Sequence, residues 1–445
     1  MYRNCKVKLS KSTIYREIMD KVYLNEVRCH SLLTMEKTAS PLIEYLTCFR
    51  SFEELNRFVS STYDDVENVQ EYCNILLTQL NELGFLDVLG SMNNSGVSKA
   101  DVREANELVA DKVLLEPEAI EKRHLLNVVI ELTYNCNLKC KHCYIGDTKS
   151  KLLDTDFYFK LLDDLYDLGV LNIVFTGGEV FTRKDSVEII RYAVQKNFVV
   201  DIFTNGTLID VKIFEELCAI NINSIQCSLY SINESVHDNF VGQKGAFRKT
   251  VEILKRFNER NVLTAIKTCI FDFNVNEYKG LKRLAEELGA TFQHTIILLP
   301  RKNGDTTPMN YGLSEKNFRK YLADYGQSLY RERGDDQSIC SAGFTSASIN
   351  PLGKVFLCNS FDWEIGDLLQ QDIKTIWYKS EKLKEWCGAT MSMLTECKNC
   401  IYINYCDFCP GIAYKLTGSP YKKYFSACKQ ANSIYDVLGK EEKGL

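Results

Sequence analysis

Three cysteines stand together at Cys136, Cys140 and Cys143, spaced C-x3-C-x2-C directly after the apolar, strand-like run 126–132. A four-iron, four-sulfur cluster takes one ligand per iron, so a three-thiolate loop leaves one iron free for a small molecule. The four-cysteine electron-transfer sites leave none. Structural zinc is the competing chemistry: it wants four closed ligands, and His142 could add an imidazole to the three thiols. A second motif, Thr176-Gly177-Gly178-Glu179, follows the next strand-like run. Two glycines let a backbone approach a ligand closely, and the carboxylate after them can accept from an ammonium group. Thr204-Asn205-Gly206-Thr207 closes a third strand as an Asn-Gly turn, readable as a plain turn or as a ligand contact, and Ser228 ends a fourth.

Such groups must be brought to one place by regular elements. From residue 126 onward the runs LLNVVIELT, LNIVFTGGE, VVDIFTNGT, SIQCSLYS, TAIKTCIFD and TFQHTIILL alternate with amphipathic helices predicted over 154–168, 185–196, 212–220, 246–260 and 277–288. Six strands in such succession imply a parallel sheet with right-handed crossovers. Ligands of these sheets sit at the carboxyl ends of the strands, which is where the motifs fall.

Seven more cysteines cluster near the end: Cys340 and Cys358 with Gly353 between them, then C-x2-C-x5-C-x2-C (Cys397, Cys400, Cys406, Cys409), then Cys428. Zinc ribbons also use C-x2-C pairs, so two zinc sites are the alternative to further clusters. The remaining eight cysteines, Cys5, Cys29, Cys48, Cys73, Cys218, Cys227, Cys269 and Cys387, are scattered as small core residues commonly are.

The first 115 residues have no such spacing. Strand-like stretches at 5–9 and 26–33 precede helices predicted at 38–49, 52–61 and 66–83, the second with a capping box at Ser51 and Glu54, the third ending at Gly84 before a returning strand, FLDVL. This layout reads as a small winged-helix module. Its third helix, DVENVQEYCNILLTQLNEL, has no Lys or Arg to meet phosphates, which argues against DNA binding. Residues 92–124 read as a linker with one helical stretch, a tether that would keep a bound peptide near the barrel.

Composition bounds the class. The 445 residues, 45% apolar and 25% charged, are those of a globular protein of two or three domains. A net charge of −5 gives no general attraction to nucleic acid or an anionic membrane. No apolar run reaches the roughly 20 residues of a membrane span, and the start MYRNCKVKLSK lacks a signal-peptide core. Eighteen cysteines without a secretion signal suit metal ligation in the cytosol better than disulfides.

ELTYNCNLKCKHCY, TGGEVF, TNGTL and HDNFVGQKGAF together resemble the radical S-adenosylmethionine (SAM) enzymes, and the seven late cysteines resemble their SPASM extension. The nearest type is the peptide maturases that make sactipeptides and ranthipeptides. The resemblance implies a partial (β/α)6 TIM-like barrel at 125–310 and a bridging region at 311–339. A SPASM domain at 340–445 and a winged-helix leader-recognition domain at 1–91 complete the implied layout. It implies SAM and three [4Fe–4S] clusters: one on Cys136, Cys140 and Cys143; a nearer auxiliary one on Cys340, Cys358 and Cys409; a distal one on Cys397, Cys400, Cys406 and Cys428. The nearer cluster lacks its usual fourth cysteine, so an open iron is expected there, unless Cys387 closes it. His142 takes the place of the family's usual aromatic along the adenine; Gly177, Gly178 and Glu179 would meet the methionine amino group, with Asn205 and Ser228 as further contacts. Two departures stand out. Val241 replaces an Arg that helps hold SAM in many relatives, with Lys244 as a substitute, and the last cysteine gap is x2 instead of x3. The implied activity is a thioether link from cysteine sulfur to a backbone or side-chain carbon of a ribosomally made precursor peptide, with a flavodoxin- or ferredoxin-type electron donor. Peptide epimerisation, carbon–carbon cross-linking and, from another class, a non-catalytic peptide-binding scaffold are the alternatives. Sulfatase maturation is disfavoured by Asn359, which stands where those enzymes have Asp.

Overall fold

The computed structural model describes residues 2, 5–29, 31–64, 66–89, 117–146, 152–325 and 329–439. Most of the expected linker, 92–116, lies outside them; a short helix, Pro117–Glu121, precedes the barrel.

The N-terminal module has six strands: β1 (Lys6–Leu9), β2 (Thr13–Ile18), β3 (Lys21–Glu26), β4 (Ser31–Glu36), β5 (Arg50–Ser51) and β6 (Leu86–Leu89). They form two three-stranded sheets, ordered β5-β1-β6 and β2-β3-β4, beside helices Ser40–Tyr45, Phe52–Thr62 and Val69–Glu82. The second helix starts with the expected capping box: Glu54 N donates to Ser51 Oγ at 3.2 Å and Ser51 N to Glu54 Oε2 at 2.8 Å. The strand expected at 26–33 is corrected, because β3 ends at Glu26 and β4 starts only at Ser31. The hairpin between β2 and β3 turns on Met19 and Asp20, both at positive φ (48° and 58°), a tight turn made without the Gly or Asn that usually announces one.

Ile14, Ile18, Tyr23 and Val27 of this module pack against Leu126, Leu171 and Val199, next to or at the amino ends of the barrel strands. Arg16 fixes the docking: its guanidinium lies 4.0 Å from the Tyr166 ring centre and donates to the Tyr166 carbonyl at 3.1 Å.

The main sheet contains β7 (Asn127–Thr133), β8 (Asn172–Gly177), β9 (Val199–Thr204), β10 (Ser224–Ser228), β11 (Leu263–Cys269) and β12 (Thr291–Thr295), parallel and in sequence order. Helices Thr155–Asp167, Ser186–Gln195, Val211–Ala219, Ala246–Glu259 and Tyr278–Glu287 alternate with them, within two residues of expectation. An unbroken strand order with right-handed crossovers puts these helices on one face of the sheet. Accordingly Ile130, Phe175, Ile202, Ile225 and Ile266 are fully buried under them. The opposite, inner face is mixed: Asn127, Asn172, Asp201, Gln226 and Lys267 alternate with those core residues and share their face with Val129, Val174, Val199 and Phe203.

The sheet then continues past β7. β13 (Ser346–Ile349) pairs parallel with β7, and β14 (Lys354–Cys358) and β15 (Phe361–Asp367) add antiparallel. The C-terminal cysteine region is thus built onto the main sheet, which has nine strands, a continuity the sequence pattern does not announce. No helix among the described residues is long and apolar enough to cross a membrane.

Candidate active site

The thiol loop leaves β7 at Thr133 and is held on three sides. From β8, Gly178 N donates to Thr133 O at 2.8 Å and Glu179 N to Asn135 O at 2.9 Å. The contact is so close that a Cβ on Gly177 would lie 2.2 Å from Thr133 O, and one on Gly178 2.4 Å from Asn135 O, so neither position tolerates a side chain. From β9, Asn205 Nδ2 donates to Asn137 Oδ1 at 3.0 Å and approaches Cys136 Sγ at 3.9 Å, while Asn137 Nδ2 donates to Thr207 Oγ1 at 2.8 Å. From helix Glu234–Val241, the carbonyls of Val241 and Phe240 accept from Lys139 N and Lys141 N at 2.9 and 3.2 Å.

The side chain of Glu179 is buried, and its carboxylate accepts from Thr204 Oγ1 (2.6 Å), Asn205 N (2.7 Å) and Phe181 N (3.2 Å). Burial raises its pKa while these bonds oppose the rise. It thereby ties the TNGT turn to the GGE turn. His142 stacks on Phe240 (5.2 Å, 15°), with Tyr230 and Phe271 edge-on. Burial pushes its pKa down to about 4, so the ring is neutral, and its buried Nδ1 has no hydrogen-bond partner. Ser228 is part-exposed beside the Tyr230 hydroxyl. Val241 is buried, and Lys244 lies exposed beyond the helix.

The ten spaced cysteines come together in the three expected groups. Cys140 is within electrostatic reach of Cys136 and Cys143; Cys358 of Cys340 and Cys409; Cys406 of Cys397, Cys400 and Cys428. Burial pushes the thiol of Cys136 up to about 11 and those of Cys358 and Cys406 up to about 12. Such thiols stay protonated until a metal displaces the proton. Cys387 turns its thiol to the Gly343 carbonyl, 3.5 Å away. Among the described residues no three His, Cys, Asp or Glu side chains close on a single ion.

A chain of charges joins the mouth to the C-terminal region: Tyr144 donates to Glu131 at 2.6 Å, Lys302 lies 3.7 Å from Glu131 and 3.9 Å from Asp362, and Lys415 pairs with Asp362 at 2.5 Å. Glu131 and Tyr144 bracket the ELTYNCNLKCKHCY stretch but were given no role of their own, and Lys302, Asp362 and Lys415 stand in no motif, so sequence reading missed the chain.

Residues 130–286 match the radical SAM superfamily and residues 340–401 the SPASM iron–sulfur cluster-binding domain. The chain is 28% identical to the AdoMet-dependent heme synthase of Methanosarcina barkeri, over 65% of this chain and 92% of that protein. It is also 28% identical to the antilisterial bacteriocin subtilosin biosynthesis protein AlbA of Bacillus subtilis, over 64% and 67%. Its fold is similar to that of Streptococcus suis SuiB bound to precursor peptide SuiA, with a TM-score of 0.58 at 17% identity over 95% of this chain and 99% of that one.

Proposed function

From the premise that the chain is a radical SAM protein with a SPASM domain, we propose that it matures a ribosomally synthesised peptide by joining a cysteine sulfur to a carbon of an acceptor residue. The observation that carries this reading is the division of ten thiols into groups of three, three and four, with Cys340, Cys358 and Cys409 as a set of only three. Soft sulfur is the natural fourth ligand for such a set, and a substrate cysteine can supply it. The likeness to a bacteriocin biosynthesis protein and to a fold seen with a precursor peptide supports a peptide substrate.

When bound, the clusters and SAM would supply one-electron chemistry, hydrogen abstraction at the acceptor carbon and an acceptor for the electron released on carbon–sulfur bond formation. The protein's own residues position and shield. Cys136, Cys140 and Cys143 would hold the first cluster; the neutral His142 ring would meet the adenine; the Gly177–Gly178 backbone and Ser228 would meet the rest of SAM, with Glu179 and Asn205 bracing them. Cys397, Cys400, Cys406 and Cys428 hold the distal cluster. The N-terminal module, read as a winged-helix recognition domain, takes the leader as an added strand on a free sheet edge. A reduced flavodoxin- or ferredoxin-type carrier would supply electrons, and eighteen cysteines with no disulfide among the described residues support a cytosolic setting.

Epimerisation is the second reading, favoured by Cys269, a thiol buried at the end of β11 with other barrel-mouth residues. Co-expression with the short peptide encoded beside the gene separates them. Loss of two hydrogens per link supports thioether formation, unchanged mass with inverted residues supports epimerisation, and an unaltered peptide rejects both. Reconstituted protein should hold about three four-iron clusters by iron and sulfide analysis.

A further inference from the structure

Barrels whose interior is structural fill it with layers of branched apolar side chains. This inner face does not. Asn127 Nδ2, Gln226 Oε1 and Ser348 Oγ are buried there without partners, and their positions on β7, β10 and β13 put all three on the same side of the sheet. Buried polar atoms left unpaired are costly, so their concentration on one face points to a polar occupant.

Gln226 is the most informative. The Asp201 carboxylate accepts from Ser224 Oγ at 2.5 Å and from Asn223 Nδ2 at 2.8 Å. With its one proton given to Asp201, Ser224 Oγ must accept, and it does so from Gln226 Nε2 at 3.0 Å. That relay fixes the amide orientation and leaves Gln226 Oε1 as an unused acceptor. Phe203 is its register partner on β9, and the Lys267 ammonium lies 3.6 Å from the Phe203 ring centre. Lys267 itself pairs in register with Ser228, so this cluster sits immediately below the strand ends that form the mouth. The ammonium is largely buried, feels Asp201 at longer range, and has no hydrogen bond or ion pair among the described residues.

A fixed acceptor beside a set of unused donors is the complement of one amide unit. We propose that Gln226 and Lys267 form a clamp for a substrate amide on the inner face, Gln226 Oε1 accepting its N–H and Lys267 donating to its C=O, so that a backbone segment is held beneath the mouth. The clamp rests on the peptide reading above and adds the group by which the peptide is gripped. Phe203 floors it, and Asp201 is a positioning residue acting through Ser224. A lone anion would satisfy Lys267 but leave Gln226 Oε1 unpaired.

Lys267 can report on its own occupancy. Burial pushes its pKa down to about 8, so it is acylated readily near that pH. The cluster-reconstituted protein with SAM is treated with an acylating reagent, and Lys267 labelling is followed by mass spectrometry with N-acetylglycine N-methylamide as probe. At a probe concentration about twice its dissociation constant, labelling should slow about threefold. The fully N-methylated analogue, which has no N–H, should not protect, and Gln226→Leu should abolish protection while Lys267 still labels. Equal labelling with and without the probe overturns the clamp, and so does protection by acetate alone, which marks a simple anion site. Failure of peptide maturation is scored separately, by the co-expression experiment, because the labelling uses neither the precursor nor turnover.

Discussion

The loop of Cys136, Cys140 and Cys143 and the set of Cys397, Cys400, Cys406 and Cys428 use one ligand type in opposite settings. The first lies on one loop stitched to three neighbouring elements, and burial pushes the Cys140 thiol far above its ordinary value. The second is gathered from short 3-10 turns and the helix Phe425–Ile434; Cys428 is exposed there, as Cys136 is in the first set, and Ile401 and Phe425 face solvent. Embedding a metal site fixes what can reach it and from which side. A surface site is open to a redox partner. The difference teaches that one ligand type can be held on a single braced loop or gathered from turns and a helix that lie apart in the sequence.

The largest effect should come from removing one ligand of each set. Cys140→Ala should abolish 5′-deoxyadenosine formation under reducing conditions, a loss of about 10³-fold or more, since the radical chemistry has no second site. Cys428→Ala should lower iron content and stop peptide maturation while SAM cleavage persists. Chromatography of 5′-deoxyadenosine and mass spectrometry of the peptide read the two outcomes. Equal loss of cleavage in both variants would break the contrast.

The embedded site was also the more legible. The C-x3-C-x2-C, GGE and TNGT motifs are local, and each sits where a parallel strand ends, so strand periodicity and spacing sufficed to bring them together. That Glu179 also ties the two turns was not legible, because two of its three hydrogen bonds come from residues 25 and 26 positions away and no local pattern reveals them. The pairing of β13 with β7 joins residues 346–349 to 127–130, again beyond local reach. The β2–β3 hairpin was missed for a different reason, a turn on Met19 and Asp20 that breaks the usual residue preference. Helix Glu234–Val241 carries visible caps in Asn233 and Gly242, yet its residues were read only as a motif.

A second test compares two glutamates that brace the two sites. Glu179 accepts three buried hydrogen bonds, whereas Glu396, beside Cys397, is exposed and accepts one, from Lys423 N at 3.1 Å. Glu179→Ala should cost about 3 kcal/mol, because it strands buried donors, and should weaken SAM binding. Glu396→Ala should cost under about 1 kcal/mol. Denaturant unfolding of the metal-free chains and SAM titration of the reconstituted ones measure both.

The smallest effect is a pH dependence confined to the barrel mouth. His237 accepts from Tyr230 N through Nδ1 at 3.2 Å, on the helix whose end holds Lys139 and Lys141. Burial lowers its pKa from 6.5 to about 4. A histidine depressed on folding binds its proton more readily when unfolded, so its contribution is complete above pH 6.5 and is lost as pH falls toward 4, at no more than about 1.4 kcal/mol per pH unit. None of the five histidines lies after residue 294, so the distal set has no such group. Between pH 7 and 5, stability should fall more steeply in the wild type than in His237→Asn, whose side chain titrates nowhere in that range. Parallel slopes in the two proteins would remove His237 as the source of acid sensitivity and leave His142 as the depressed histidine that sets the first site apart.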